Sequence, residues 1–158
     1  MRQIKYIVLH CTAGAQTQSL ASIKAHWRNQ GWKTDGYHHL ISHDGAVNDL
    51  VPIEKPSNGV KGYNSVSINI CYKGGVDLKT GRPLDNRTDL QKAAMKGLVL
   101  KYKQMFPDAI ILGHRDFSPD KNRDGVIQPN EWMKACPSFS VKEWLQQEGI
   151  ANNPVVIK

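Results

Sequence analysis

The sequence predicts a single α/β domain, a mixed β-sheet of about five strands flanked by about three helices. Three observations lead there. Short runs rich in β-branched and aromatic residues alternate with stretches of helical periodicity. One pair of apolar runs is joined through Asp44-Gly45, a hairpin signal that rules out a purely parallel sheet. No internal repeat or low-complexity tract interrupts the 158 residues, a length suited to one core.

Each element follows from local chemistry. "IKYIVLHC" (4–11) reads as a buried strand that ends at the turn formers "TAG". Leu20, Ile23 and Trp27 recur at helical spacing within 19–30, and Gly31 stops that helix. "GYHHLISHDGAVNDLV" (36–51) is the hairpin, in which His39 and His43 are expected to be partly exposed. "SVSINICYKGG" (65–75) is a strand closed by Gly74-Gly75, and "DLKTGRPLDNR" (77–87) is a polar loop. Thr88 and Gln91 then form a capping box for a helix to about Phe106. Leu90, Ala94, Leu98, Tyr102 and Met105 are expected to share its buried face. "AIILGH" (109–114) is a short buried strand. Ser140 and Glu143 open a last helix to about Gln147, with Gly149 past its end. The domain is thus expected to span 1–150, with the tail 151–158 loosely held.

Composition narrows the partners. No apolar run approaches the ~18 residues that span a membrane. "MRQIKYIVLH" lacks the apolar segment and cleavage site of a signal peptide. Synthesis in the cytoplasm without a Sec signal is therefore expected. The net charge of +7 favours an anionic partner. Lys and Arg are scattered and form no basic helix or nucleic-acid motif, so a cell-wall polymer ranks above nucleic acid. Cys11, Cys71 and Cys136 are an odd, sparse set without a CxxC pair, which argues against a disulfide framework. A Cys11–Cys71 bridge and two small buried thiols both remain open readings.

Three potential metal ligands sit at strand ends and breaks, where sites are usually built. His10 ends the first strand, His114 ends the fifth, and Cys136 precedes Pro137 between helical turns. Two His and one Cys would give Zn²⁺ three protein ligands and leave a fourth position for water. Their wide spacing gives no independent support over ordinary buried or surface residues.

"VLHCTAG", "GYHHLISHDG", "SINICYKGG", "GHRDFSPD" and "KACPSFSV" occur in that order. Together they resemble the type 2 N-acetylmuramoyl-L-alanine amidases, a family that includes short phage lysozymes and peptidoglycan recognition proteins. The resemblance covers about residues 4 to 148. "KACPSF" and the "HC[ST]A"-like segment are its specific parts, whereas "GH[RD]" alone is weak. It implies a mixed sheet with zinc in a groove, bound by His10, His114 and Cys136. It also implies catalytic roles for Tyr37 in "GYH" and for Lys134, two residues before the Cys; His38 reads as structural. Members that only bind often lack the Cys, so its presence points to an enzyme that cuts the amide between N-acetylmuramic acid and L-alanine. The alternative is a non-catalytic peptidoglycan-binding module. A nucleic-acid-binding or polymerase-regulating protein is a third reading, carried only by charge and by the dual habits of some phage relatives. The resemblance implies a monomer whose partner is peptidoglycan, acting on the wall after release or non-Sec export, with no role at a membrane.

Two departures stand out. Where many relatives carry a second His, this chain has "VKGYNSVS", with Val60 and Tyr63; Asn64 is the residue left there to bond a peptide stem. The segment between His114 and Cys136 is also longer than in the shortest phage members. The extra length is "DKNRDGVIQPNE" (120–131), which has the pattern of an oxygen-ligand Ca²⁺ loop. Asp120, Asn122 and Asp124 supply side-chain oxygens, Val126 its carbonyl, Gln128 a contact through water and Glu131 a bidentate carboxylate. Gly125 permits the turn. Ser118-Pro119 forbids an entering helix, which sets a sensor role aside. Two readings stay open: a Ca²⁺ brace for the turn that presents Lys134 and Cys136, or an ion-free, Asx-rich surface turn.

Overall fold

The computed structural model describes residues 1–157. Its central strand, β1 (Tyr6–Cys11), is buried along its whole length. A strand covered on both faces needs partners on both edges and a layer on each side. β4 (Ser67–Tyr72) and β5 (Ile110–Gly113) flank it, both parallel. β2 (His39–Ile41) pairs with β4 in parallel, and β3 (Val47–Asp49) closes that edge antiparallel. The order β3-β2-β4-β1-β5 is the mixed five-stranded sheet that the hairpin predicts. Gly45 holds φ 82°, which the Asp-Gly turn requires.

Alternation along β1 assigns its two faces. Ile7, Leu9 and Cys11 join Ile68, Ile70, Tyr72 and Ile111 in the main core. Helix α2 (Asp89–Met105) covers this core with Met95, Val99 and Tyr102, and α3 (Val141–Gln147) adds Val141, Trp144 and Leu145. Tyr6 and Val8 point the other way, under Val60, Leu112 and Phe117. On that side α1 (Leu20–Asn29), capped by the Ser19 side chain, packs Ile23 and Trp27 on Leu40 and Cys71. All three cysteines are free. The register pairs His10 with Cys71, which places Cys71 on the opposite face from Cys11, so the Cys11–Cys71 bridge does not form.

Two expectations are corrected. The buried face of α2 is carried by Gln91, Met95, Val99 and Tyr102, while Leu90 is 60% and Met105 45% exposed. Gln91 causes the rotation. Its Nε2 donates to Ile41 O and Lys73 O at 3.2 and 2.9 Å, and its Oε1 accepts the Thr88 N–H. Ile41 O also accepts the Lys73 N–H at 2.9 Å, so the Lys73 carbonyl is the one that relies on the Gln91 amide, and a buried acceptor needs a donor. His39 is buried rather than partly exposed, because Asp49 and Tyr102 bond its two ring nitrogens; His43 is exposed as expected. Beyond α3, the Asn152 amide donates to Ile111 O and accepts the Ile111 N–H, occupying the free edge of β5. Among the described residues, no helix is long and apolar enough to cross a membrane.

The orientation of α2 is testable. Gln91→Leu keeps the bulk but strips the Lys73 carbonyl of its donor and leaves Ile41 O with the Lys73 N–H alone, and is expected to cost about 2 kcal/mol in urea unfolding. Leu90→Ala is expected to stay within about 0.5 kcal/mol. Equal losses at the two positions would contradict the inward placement of Gln91.

Candidate metal centre

Parallel strands deliver their carboxyl ends to one edge of a sheet, where sites form. The register sets Leu9 beside Gly113, so His10 and His114, each one residue further on, become neighbours. Their ring centroids are 5.0 Å apart. His114 opens a 3-10 turn, His114–Phe117, fastened by Asp116, whose carboxylate accepts the Gly113 N–H at 2.7 Å.

Cys136 arrives from outside the sheet, on the turn before α3, and that turn is pinned at four points. Cys136 O accepts the Arg115 N–H at 2.8 Å. The Cys11 N–H reaches Cys136 Sγ at 3.2 Å. Tyr72 Oη donates to Pro137 O and Ser138 Oγ to Gly75 O, each at 2.7 Å. Gly113 permits the approach, since a β-carbon there would lie 2.7 Å from Pro137 Cδ. Cys136 Sγ ends 3.8 Å from His10 Nδ1. The ligand atoms of His10, His114 and Cys136 all lie within 4.8 Å of one another. Among the described residues this is the one such group of three His, Cys, Asp or Glu side chains.

The donor set suits zinc. Tetrahedral Zn²⁺ with its usual N and S bond lengths spaces those ligand atoms roughly 3.5 Å apart, so a small contraction completes the geometry. Burial, then the neighbouring His114, holds the pKa of His10 well below the ordinary histidine value. Burial, then Lys134, lowers that of His114 to about 4. Both imidazoles are neutral at pH 7 and keep a lone pair for a metal. Burial, then the Cys11 side chain, pushes the Cys136 thiol up. A divalent cation beside it would reverse that preference.

Tyr37 and Lys134 reach the same place. The Tyr37 ring lies 5.0 Å from the His10 ring and 5.6 Å from Trp27, centroid to centroid. Burial raises its pKa well above the ordinary value, so the phenol stays protonated. Lys134 is exposed, and its charge contributes to the lowered pKa of both imidazoles.

The loop 120–131 is closed largely by its own hydrogen bonds. Glu131 is buried; its Oε1 accepts the Lys121 and Asn122 N–H groups and its Oε2 the Gln128 N–H. These donors, Gln128 first, lower its pKa. Asp124 accepts from Val126 N–H and from the Asn122 and Gln128 side-chain amides. Asp120 Oδ2 accepts the Gly125 N–H, while its Oδ1 is buried with no hydrogen-bond partner. Asp120, Asp124 and Glu131 do not form a second close group of ligand atoms among the described residues. A cavity of about 760 Å³ opens beside the loop, bordered by Val126, Trp132 and Arg115, whose guanidinium lies 4.0 Å above the Trp132 ring.

The family described as N-acetylmuramoyl-L-alanine amidase matches residues 1–138. The chain belongs to that family. It is 31% identical to the endolysin of Klebsiella phage KP32 over 154 residues, 96% of this chain and 92% of that protein. Among solved structures, the endolysin of bacteriophage Ph2119 from Thermus scotoductus MAT2119 superposes with a TM-score of 0.69 at 25% identity, over 96% of this chain and 88% of that one. An endolysin amidase of Clostridium intestinale URNW shares the fold, with a TM-score of 0.73 at 17% identity over 95% of this chain and 86% of that one. The match to the amidase family ends just past Cys136, so it includes all three residues of the trio.

Two features escape a reading of the sequence. Asn69, buried on β4, lies with Oδ1 2.9 Å from His10 Nε2. The available signal was a polar side chain inside an otherwise apolar strand, which is costly unless bonded. Asn64, expected to serve a peptide stem, instead accepts the Val60 N–H at 2.8 Å and closes its own turn.

Proposed function

We propose that this chain is a zinc-dependent peptidoglycan amidase of the endolysin type, cutting the amide between the lactyl group of N-acetylmuramic acid and L-alanine. The convergence of His10, His114 and Cys136 within 4.8 Å carries the reading. Zinc in that position supplies Lewis acidity for the scissile carbonyl and acidifies a water at its fourth site. The other work falls to the chain's side chains. Lys134 places positive charge where the tetrahedral oxyanion develops. A thiolate in the ligand set leaves the metal centre at formal +1, so a second cation there has a purpose. Tyr37 holds a protonated hydroxyl near the reacting group, suited to orienting a water or passing a proton to the leaving amine. The +7 charge favours approach to an anionic wall polymer, on which the protein would act as a monomer after release.

Purified cell wall incubated with the zinc-loaded protein is expected to release free L-alanine amino groups. Cys136→Ala should release none above background. Lys134→Ala should keep its zinc and lose about 10²-fold in kcat, the scale of a lost oxyanion donor. Intact wall that sediments tightly with the wild-type protein would support the non-catalytic binding module instead.

For the loop 120–131 we propose a brace. Glu131 ties three backbone N–H groups together just ahead of Lys134 and Cys136. The buried, unpartnered Oδ1 of Asp120 favours Ca²⁺ as the cation that completes it. Added Ca²⁺ is expected to raise the Tm of the zinc-loaded protein by about 5 °C. An unchanged Tm would mean that hydrogen bonds alone close the loop.

A further inference from the structure

A neutral imidazole carries its proton on either ring nitrogen, and only the other one can ligate a metal. In this chain a buried set of hydrogen bonds settles the choice for His10. Backbone N–H and C=O groups at its far end have fixed donor and acceptor roles. The Asn69 N–H donates to His38 Nδ1 at 2.9 Å, so that nitrogen bears no proton. His38 Nε2 carries it and donates to Lys55 O, also at 2.9 Å; the donor-only Arg2 guanidinium lies farther from that nitrogen, at 3.2 Å, and its Nη2 has Ile53 O at 2.7 Å as acceptor. Ser57 Oγ, 3.2 Å from the same Nδ1, can only be the donor in that contact, sharing the one lone pair with the shorter Asn69 N–H bond. With its hydrogen so used, Ser57 Oγ accepts from Asn69 Nδ2 at 2.9 Å. That sets the amide, turning Oδ1 toward His10 Nε2 at 2.9 Å. An amide oxygen only accepts, so His10 carries its proton on Nε2. Nδ1, 3.8 Å from Cys136 Sγ, keeps the lone pair.

We propose that Asn69 is a positioning residue that, with Ser57 and His38 behind it, fixes His10 in the tautomer whose Nδ1 faces the metal position. This rests on the reading of His10, His114 and Cys136 as a metal site. The backbone is built around the amide. Asn69 pairs with Val8 of β1, two residues before His10 on the same face of the sheet. His38, Ser57 and Asn69 are at most 1% exposed, so water does not compete for these bonds. Gly59 supplies the room: a β-carbon there would lie 2.2 Å from Asn69 Cγ and 2.3 Å from its Oδ1. An amide also orients the ligand without adding charge, which leaves the centre's formal +1 intact.

Three measurements test this. Long-range ¹H–¹⁵N spectra of the metal-free protein should show His10 as the Nε2–H tautomer; an Nδ1–H form or a mixture in the wild type would overturn the proposal. Asn69→Leu, of similar size but without an acceptor, should weaken zinc binding about 10- to 100-fold in competition with a chromophoric chelator, whereas Asn69→Asp, which keeps an acceptor on Nε2, should bind within about threefold of wild type. Gly59→Ala should weaken zinc in the same direction by pushing the amide aside, and should cost nothing further in an Asn69→Ala background, where the space is vacated. Wild-type affinity in both Asn69→Leu and Gly59→Ala would overturn the proposal. No zinc on a wild type that still shows the locked Nε2–H tautomer would overturn the metal reading alone and support the role of Asn69 in fixing the ring.

Discussion

The parallel pairing of β1 with a strand on each edge is the constraint from which the site follows. It puts the ends of β1, β4 and β5 on one side of the molecule. The register with β5 brings His10 and His114 side by side. The register with β4 sets Asn69 on the face that carries His10. The same alternation sends Cys11 into the main core while its backbone N–H meets Cys136 Sγ. A slip of one residue would turn His114, in the β5 pairing, or Asn69, in the β4 pairing, to the opposite face. The apolar alternation of β1, with Ile7 and Leu9 inward on one side and Tyr6 and Val8 on the other, is what forbids that slip.

Cys136, the third member of the trio, depends on a different kind of fit. Cys136 belongs to no strand, so side-chain and backbone bonds from Arg115, Cys11, Tyr72 and Ser138 hold its turn. The close approach over Gly113 tolerates no side chain at that position. The result is a half-sheltered trio of groups that are neutral without a metal and lie one small contraction from tetrahedral spacing. The half-buried, protonated Tyr37 packs its ring on His10, and the exposed Lys134 contributes positive charge to the surroundings of both imidazoles.

Much of this is legible in the chain where the cause is local. Asp44-Gly45 announces its turn, Thr88 with Gln91 caps α2, and the Gly after each of α1 and α3 adopts the positive φ that ends a helix. The metal trio was legible only through motif resemblance, because the three residues meet through pairings that no local spacing records. What stayed hidden depends on bonds between distant elements. Gln91 turns inward to serve the carbonyls of Ile41 and Lys73, so apolar periodicity placed Ala94, Leu98 and Tyr102 on the core side of α2 but missed Gln91 and misplaced Leu90 and Met105. His39 is buried by Tyr102, and Asn152 seals an edge far from it in sequence. The carboxylates of the loop 120–131 match a Ca²⁺ pattern by spacing, yet most of their oxygens are already engaged by nearby N–H groups.

The central claim is that His10, His114 and Cys136 together hold one zinc ion. Elemental analysis of the purified protein and of three single variants tests it most directly. The account predicts one zinc per wild-type chain and little or none in His10→Ala, His114→Ala and Cys136→Ala, each still folded by circular dichroism. Zinc absent from the wild type, or retained at full stoichiometry in all three variants, would contradict it.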